Sequence, residues 1–353
     1  MNYSEILLVA RLKKARQELA QIITDLHFTH HPELEQQYGE RGRQKCYEDA
    51  LYHLSYLEQA VRVNSTALFS NYLDWARTML KERGIPERDL IDNIAYIKEA
   101  IKHNLSDDEA QTLVEFIDTG LNSILSHPHR IKTFLKSGEP LADEAKAYLD
   151  FLLNGKRKKA ADLIEKLVEG GQSIREIYEH IFQKTQYEVG ALWQSNKISV
   201  AHEHYCTAAT QLIMSGLYPR IFSMKKSGRK LVACTVADEL HEIGIRMVSD
   251  FFEMEGWDTH YLGANMPDEH LIKLLKEDKT DLLAISVTLP LHIEKAARLI
   301  EQVREDEQIG KIKIMVGGYP FGIVPDLWKK IGADASEGSA KEAIEMANKL
   351  LLN

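Results

Sequence analysis

The densest chemistry in this chain lies in seven consecutive residues: Asp238, Glu239, Leu240, His241, Glu242, Ile243 and Gly244. The apolar run KLVACTVA at 230–237 precedes them and reads as a buried parallel strand. The amphipathic run 243–255 follows and reads as a helix. His241 is thereby placed on a loop at the carboxyl end of a strand, the rim where open α/β sheets hold their ligands. An imidazole there can ligate a metal through one ring nitrogen. Glu239 is spaced to accept a hydrogen bond from the other, which fixes the tautomer and raises ligand basicity. Gly244 leaves the start of the helix without a side chain, so other groups can approach its backbone. On these residues alone, a structural loop histidine is the commoner reading.

Two other sets share in the argument. Ser286 and Thr288 close a later apolar run, and Gly317 and Gly318 close the next. In a parallel sheet both face the rim that carries His241. Serine there can bond a ring nitrogen, and paired glycines let a bulky ligand lie on the backbone. Further upstream, nine residues separate Trp193 from Glu203, which His204 follows. If Trp193 ends one helix and Glu203 and His204 sit in the first turn of the next, an indole, a carboxylate and an imidazole can converge over a planar ligand. A core tryptophan, a helix-start glutamate and a surface histidine explain the same three residues. His202, two positions before His204, points elsewhere on the helix and is the weaker ligand.

The elements that must position these groups are legible in outline. Helical periodicity covers 3–27, resumes near Cys46, and fits 66–83, 90–103 and 107–125. A polar break is expected from His30 to Gly42, and a capping box at Ser106 with Glu109. No strand signal occurs in 1–125, which reads as an all-α domain. A linker spans 126–140, bracketed by His127-Pro128-His129 and Pro140. Four short helices, 142–153, 156–169, 173–189 and 199–222, make a bundle over 141–223, with Ser173 (boxed with Glu176) and Ser199 as caps. From 229 to 353 strands (230–237, 258–263, 281–287, 312–317, 333–336) alternate with helices (243–255, 268–277, 291–305, 322–331, 339–351). That rhythm implies α/β, a doubly wound parallel five-stranded sheet. With 44% hydrophobic and 27% charged residues, 353 residues suit two or three globular domains. The net charge of −9 argues against broad nucleic-acid binding. Three cysteines without metal-like spacing, no long apolar run and no signal-peptide pattern suggest the cytoplasm and no membrane partner.

The pattern Glu239-x-His241-x-x-Gly244 resembles the signature of cobalamin-binding domains, in which the histidine is the lower axial ligand to cobalt. Ser286, with Thr288 where that family usually has leucine, and Gly317-Gly318 match the motifs around the buried nucleotide tail. The resemblance implies a Rossmann-like domain under a helical-bundle cap. Trp193-x9-Glu203-His204 resembles the mark of light-sensing cobalamin proteins related to carotenogenesis repressors. By that resemblance Trp193 would shield the adenosyl group of adenosylcobalamin. Glu203 would bond its ribose, and His204 would become an upper cobalt ligand after photolysis. The expectation that follows is an adenosylcobalamin light sensor and signal-transduction protein, not an enzyme. The alternative is a corrinoid methyl carrier of a methyltransferase system.

Residues 1–125 lack the winged helix-turn-helix of those sensors and a basic recognition face, so no direct DNA binding is expected. The output would be a homo-oligomer or a protein partner, with 1–125 as a sensor or relay domain. Aromatics and histidines crowd 27–75: His27, Phe28, His30, His31, Tyr38, Tyr47, Tyr52, His53, Tyr56, Phe69, Tyr72 and Trp75. Such a helical domain resembles the bilin-binding part of the photocobilins and could hold a bilin such as biliverdin. Cys46 is the one cysteine there able to form a thioether, and non-covalent binding is equally open.

Overall fold

The computed structural model describes residues 3–126, 131–222 and 225–352. His127-Pro128-His129 of the expected linker and Ser223 at the end of the expected bundle lie outside them. Contacts divide the chain into two compact units. One holds the first five helices with Leu289–Glu294 and Gly322–Lys330; the other holds the rest.

The first unit is helical, and no strand occurs in it among the described residues. Its N-terminal helices are α1 (Tyr3–His30), α2 (Glu33–Arg62), α3 (Thr66–Lys81), α4 (Glu87–Asn104) and α5 (Asp107–Ser126). The polar break expected at 30–42 is corrected: α2 begins at Glu33 and bends at Gly39, whose φ of 55° and ψ of −154° leave the helical region. Residues 33–48 lack an apolar stripe but are rich in Glu, Gln, Arg and Lys, which favour helix on propensity alone. Ser106 and Glu109 do pair, with the Ser106 N–H and hydroxyl both donating to Glu109 Oε2 at 3.3 and 2.6 Å.

The second unit opens with the bundle: α6 (Ala142–Leu153), α7 (Arg157–Glu169), α8 (Ile174–Glu176), a π-helical turn (Ile177–Gln183), α9 (Lys184–Gln194), α10 (Val200–Gly216) and α11 (Tyr218–Ile221). Ser173 does not cap by its side chain, contrary to expectation, and the Glu176 carboxylate is held by Gln172 Nε2 at 2.5 Å instead of closing the box. Ser199 does cap: its hydroxyl accepts from the His202 N–H and meets His202 Nδ1 at 2.8 Å. We expect Ser199→Ala to cost about 1 kcal/mol, seen as a thermal midpoint lower by about 2–4 °C. An unchanged midpoint would remove the cap.

The sheet follows, with β1 (Lys230–Thr235), α12 (Ile243–Met254), β2 (Asp258–Gly263), α13 (Asp268–Glu277), β3 (Leu282–Ser286), α14 (Ile293–Glu305), β4 (Lys313–Gly317), α15 (Tyr319–Ile323), α16 (Leu327–Lys330), β5 (Ala335–Ser336) and α17 (Ala340–Leu350). The helix expected over 322–331 is two short ones, and the last strand is only two residues long. All pairings are parallel, in the order β2-β1-β3-β4-β5. Chain order reverses between β1 and β3, so the crevice of this sheet opens at their carboxyl ends. Register lines up Thr235, Ser286 and Gly317 along that edge. Bundle and sheet share one apolar core, in which Tyr148, Tyr178 and Phe182 join Phe251, Phe252 and Trp257.

Candidate functional site

Glu239 is the anchor of the site. It is fully buried, yet every contact of its carboxylate is made. Oε1 accepts from the His241 backbone N–H at 3.1 Å and from His241 Nδ1 at 2.6 Å. Oε2 accepts from the Thr288 N–H at 2.8 Å, tying the loop after β1 to the end of β3. The Thr235 hydroxyl donates to the Glu239 carbonyl at 2.7 Å. His241 itself is 57% exposed, and its Nε2 has no hydrogen bond among the described residues. Hydrogen bonding to Glu239 raises the His241 pKa, opposed by burial and aided by the charges of Glu239 and Glu203. This is an imidazole with a fixed ring, a set tautomer and a free nitrogen.

The remaining predicted residues surround it. Asp238 takes a left-handed backbone with φ of 64°, receives a hydrogen bond from Lys295 and is held through its N–H by Asn265 Oδ1 at 2.7 Å. Leu240 stands 71% exposed on the rim. Glu242 joins cap to sheet: Gln211 Nε2 donates to Oε1 at 2.6 Å and the Tyr261 hydroxyl to Oε2 at 2.7 Å. Ile243 begins α12. A Cβ added at Gly244 or Gly317 would meet nothing within 4 Å, so the backbone faces open space at both. Gly318 differs: at φ of +110° its bare Cα sits against the Val287 carbonyl, so its own chain uses the space. Ser286 is buried at the edge between them. A fixed imidazole, open glycine backbones and a buried hydroxyl at the switch point fit a large ring with a tail reaching into the sheet.

The helical constellation sits on the elements its spacing suggested, the end of α9 and the first turn of α10. Trp193 is half-buried near the end of α9. Glu203 is engaged within its own helix, with Oε2 to His204 Nδ1 at 2.5 Å and Oε1 accepting from Thr207 at 3.0 Å. His204 is 75% exposed. Glu203 still acts on His241 through its charge. Asn265, Tyr261, Gln211 and Lys295 were missed by sequence reasoning. Asn265 alone left a signal, lying just past β2 on the same rim.

Under the site, Asp250 accepts from the Tyr178 hydroxyl at 2.8 Å. Burial pushes its carboxyl up to about 6, with Tyr178, Arg246 and Tyr218 pulling down and Glu253 pushing up. The folded pKa thus lies above the unfolded value, so the native state binds the extra proton between pH 4 and 6. This group's stability is fully present below pH 4 and is lost as pH rises through 6. Asp250→Asn should remove that slope and raise stability at neutral pH by on the order of 2 kcal/mol. Parallel wild-type and variant denaturation curves from pH 4 to 7 would refute it.

The first unit has a cavity of about 380 Å³ lined by Phe28, Leu34, Leu80, Ile85 and Leu90, with His27, His53, Asp49, Cys46 and Asn93 among the polar groups and Arg41 and Lys45 also at the wall. His27 Nδ1 and Asn93 Oδ1 are buried there without a hydrogen-bond partner. Burial lowers both His27 and His53 to about 4 and pushes Asp49 up to about 6 and Cys46 up to about 11. Tyr56, Tyr72 and Trp75 instead stack on one another, and Tyr72 bonds His53 Nδ1 at 2.8 Å.

Comparison with known proteins now has a geometry to explain. The family model "B12 binding domain" matches residues 229–347, and a second model of that description matches 144–218. Fold and site thus define a cobalamin-binding protein. More particularly, this chain is 28% identical over 208 residues to dimethylamine corrinoid protein 3 of Methanosarcina acetivorans, covering 58% of this chain and 94% of that one. A corrinoid protein of Desulfitobacterium hafniense is 27% identical over 60% of this chain and 97% of its own. The solved monomethylamine corrinoid protein of Methanosarcina barkeri aligns with a TM-score of 0.51 at 22% identity, covering 58% of this chain and 96% of that one, a likeness of fold. Residues 4–155 match the model "Phycobilisome protein". These relatives overturn the light-sensor expectation, since they are corrinoid proteins, the one of Methanosarcina acetivorans a dimethylamine corrinoid protein. Its structural footing was thin as well: Trp-x9-Glu-His is a spacing any helix-turn-helix corner can produce, and Glu203 is spent on His204 and Thr207. No helix among the described residues is long and apolar enough to cross a membrane.

Proposed function

We propose that this chain is a corrinoid methyl carrier serving a separate methyltransferase. His241 would hold cobalt from below through Nε2, with Glu239 fixing the ring. Ser286 and Gly317 would receive the nucleotide tail. Trp193, Glu203 and His204 would stand on the upper side. Bound cobalamin supplies a cobalt that, when reduced, is a nucleophile for a methyl group. The chain's own work is positional, and turnover belongs to the partner enzyme. The observation that carries this reading is an asymmetric rim. Its anchor, Glu239, is buried and fully bonded, while His241 and Leu240 on the same loop, and His204 on α10, are exposed to a partner. Methyl rather than adenosyl is taken as the working upper group. The test is to load the full chain with cobalamin, reduce it, and supply dimethylamine with a methylamine methyltransferase. Amine- and enzyme-dependent change in the cobalt absorption is the expected result. A spectrum that never changes would overturn the reading.

A second ligand is favoured by the cavity in the first unit. We infer a bilin, held without a covalent bond because the Cys46 thiol is too weak an acid to be a thiolate near neutral pH. Asp49 and the unpartnered His27 and Asn93 atoms would meet pyrrole nitrogens, and Arg41 and Lys45 the propionates. Biliverdin added to the full chain should give a shifted visible band that Asp49→Ala weakens. No band with wild type would remove this ligand.

A further inference from the structure

The outer face of the bundle carries a groove of about 940 Å³ between the start of α7 and the length of α10. Its rim is Lys156, Arg157, Lys158 and Lys159, four consecutive exposed cations. None of their side chains forms an ion pair or hydrogen bond among the described residues. They are unusual in two respects. The first turn of α7 holds no acid, although the positive end of a helix favours acids and repels cations. The chain as a whole carries a net charge of −9, so this patch opposes the sign of its own protein. Along the opposite wall run Tyr205 and Leu212 of α10, the latter 55% exposed. Two acids line the groove against these four cations: Glu165 is already paired with Arg220 at 3.0 Å, and Asp162 lies one turn after Lys158, so a net positive charge remains. Exposed apolar side chains beside uncompensated like charges form a surface that lacks its complement.

We propose that this groove docks the partner enzyme of the methyl carrier through an acidic surface that also presents an apolar side chain. The proposal rests on the methyl-carrier reading and names where the partner grips. Concavity favours a protein over a membrane, whose surface offers nothing to fill a groove. The position gives docking a consequence. One edge of α10 lines the groove through Tyr205 and Leu212. Another carries Gln211, bonded to Glu242 beside His241, and Glu203. A partner pulling on the outer edge therefore acts on the helix that meets the lower-ligand loop.

The test uses the cobalamin-loaded full chain and the same methylamine methyltransferase. Lys158→Glu with Lys159→Glu, and separately Leu212→Ser, change only exposed side chains. Each is expected to weaken enzyme-dependent methyl transfer about tenfold or more, the charge variant chiefly through association rate and with loss of salt dependence. Methylation by methyl iodide, which needs no partner, should be unchanged. Variants equal to wild type in the enzyme assay would overturn the docking surface and leave the methyl carrier standing. Wild type that reacts with methyl iodide but never with the enzyme would remove the carrier reading and this partner with it. Wild-type retention on phosphatidylglycerol vesicles, lost in the charge variant, would overturn the groove as a protein site in favour of a membrane.

Discussion

His241→Ala protein, loaded with cobalamin and reduced to Co(II), will show no axial-nitrogen splitting in its paramagnetic resonance spectrum. Wild type will show it. Among the described residues, the imidazole at the crevice with its Nδ1 satisfied by a buried carboxylate and its Nε2 unbonded is His241. His204 is tied at Nδ1 to Glu203 on the cap and is mostly exposed. Glu239→Gln should give a milder result with the same direction. An amide places a donor where two donors now converge, so the ring loses its orientation and cobalamin affinity falls by about 10–100-fold. Loss at 241 should be at least that large by equilibrium dialysis. Persistent nitrogen splitting in His241→Ala would place the lower ligand elsewhere and sink the site as drawn.

Gly318→Ala is expected to be the most destructive conservative change on the rim. An added methyl would fall on the Val287 carbonyl carbon and oxygen, backbone atoms that cannot rotate away. Val287 is itself held by its N–H to the Gly317 carbonyl at 2.9 Å, and Thr288 next to it supplies the bond to Glu239. At φ of +110° the alanine is strained whatever room it finds. Together these should cost on the order of 3 kcal/mol or more. Because the displaced strand end carries Thr288, cobalamin uptake should fall with stability. Gly317→Ala is the control: its Cβ meets no protein atom, so the apo fold should melt normally while the cofactor, if it uses that space, binds less tightly. Equal melting of all three proteins would refute the packing argument.

Much of this was readable from the chain. Glu239 and His241 are two residues apart, and a strand-loop-helix rhythm fixes both on one rim. Ser286 and Gly317 followed from the same logic, since parallel strands end on the same edge. What escaped was anything whose partner is distant in sequence. Asn265, Tyr261 and Gln211 reach the site across separate elements, and no local period announces them. The start of α2 escaped for another reason: periodicity finds apolar stripes, and a polar helix held by propensity has none. The π-helical turn that sets Tyr178 against Asp250 differs from α-helix by one residue in its hydrogen-bond step, a difference apolar spacing does not resolve. The light-sensor reading failed because it rested on the nine-residue spacing from Trp193 to Glu203, and a spacing across a turn does not say which upper group cobalt carries.

The three donors that converge on Glu239 all belong to the chain itself, two backbone N–H groups and the His241 ring. Those bonds need no outside group to fix the ring, so little ordering is left to oppose capture of a ligand. Uptake should then proceed as a single second-order phase, linear in cobalamin concentration, without the slower plateau of a loop that must first fold.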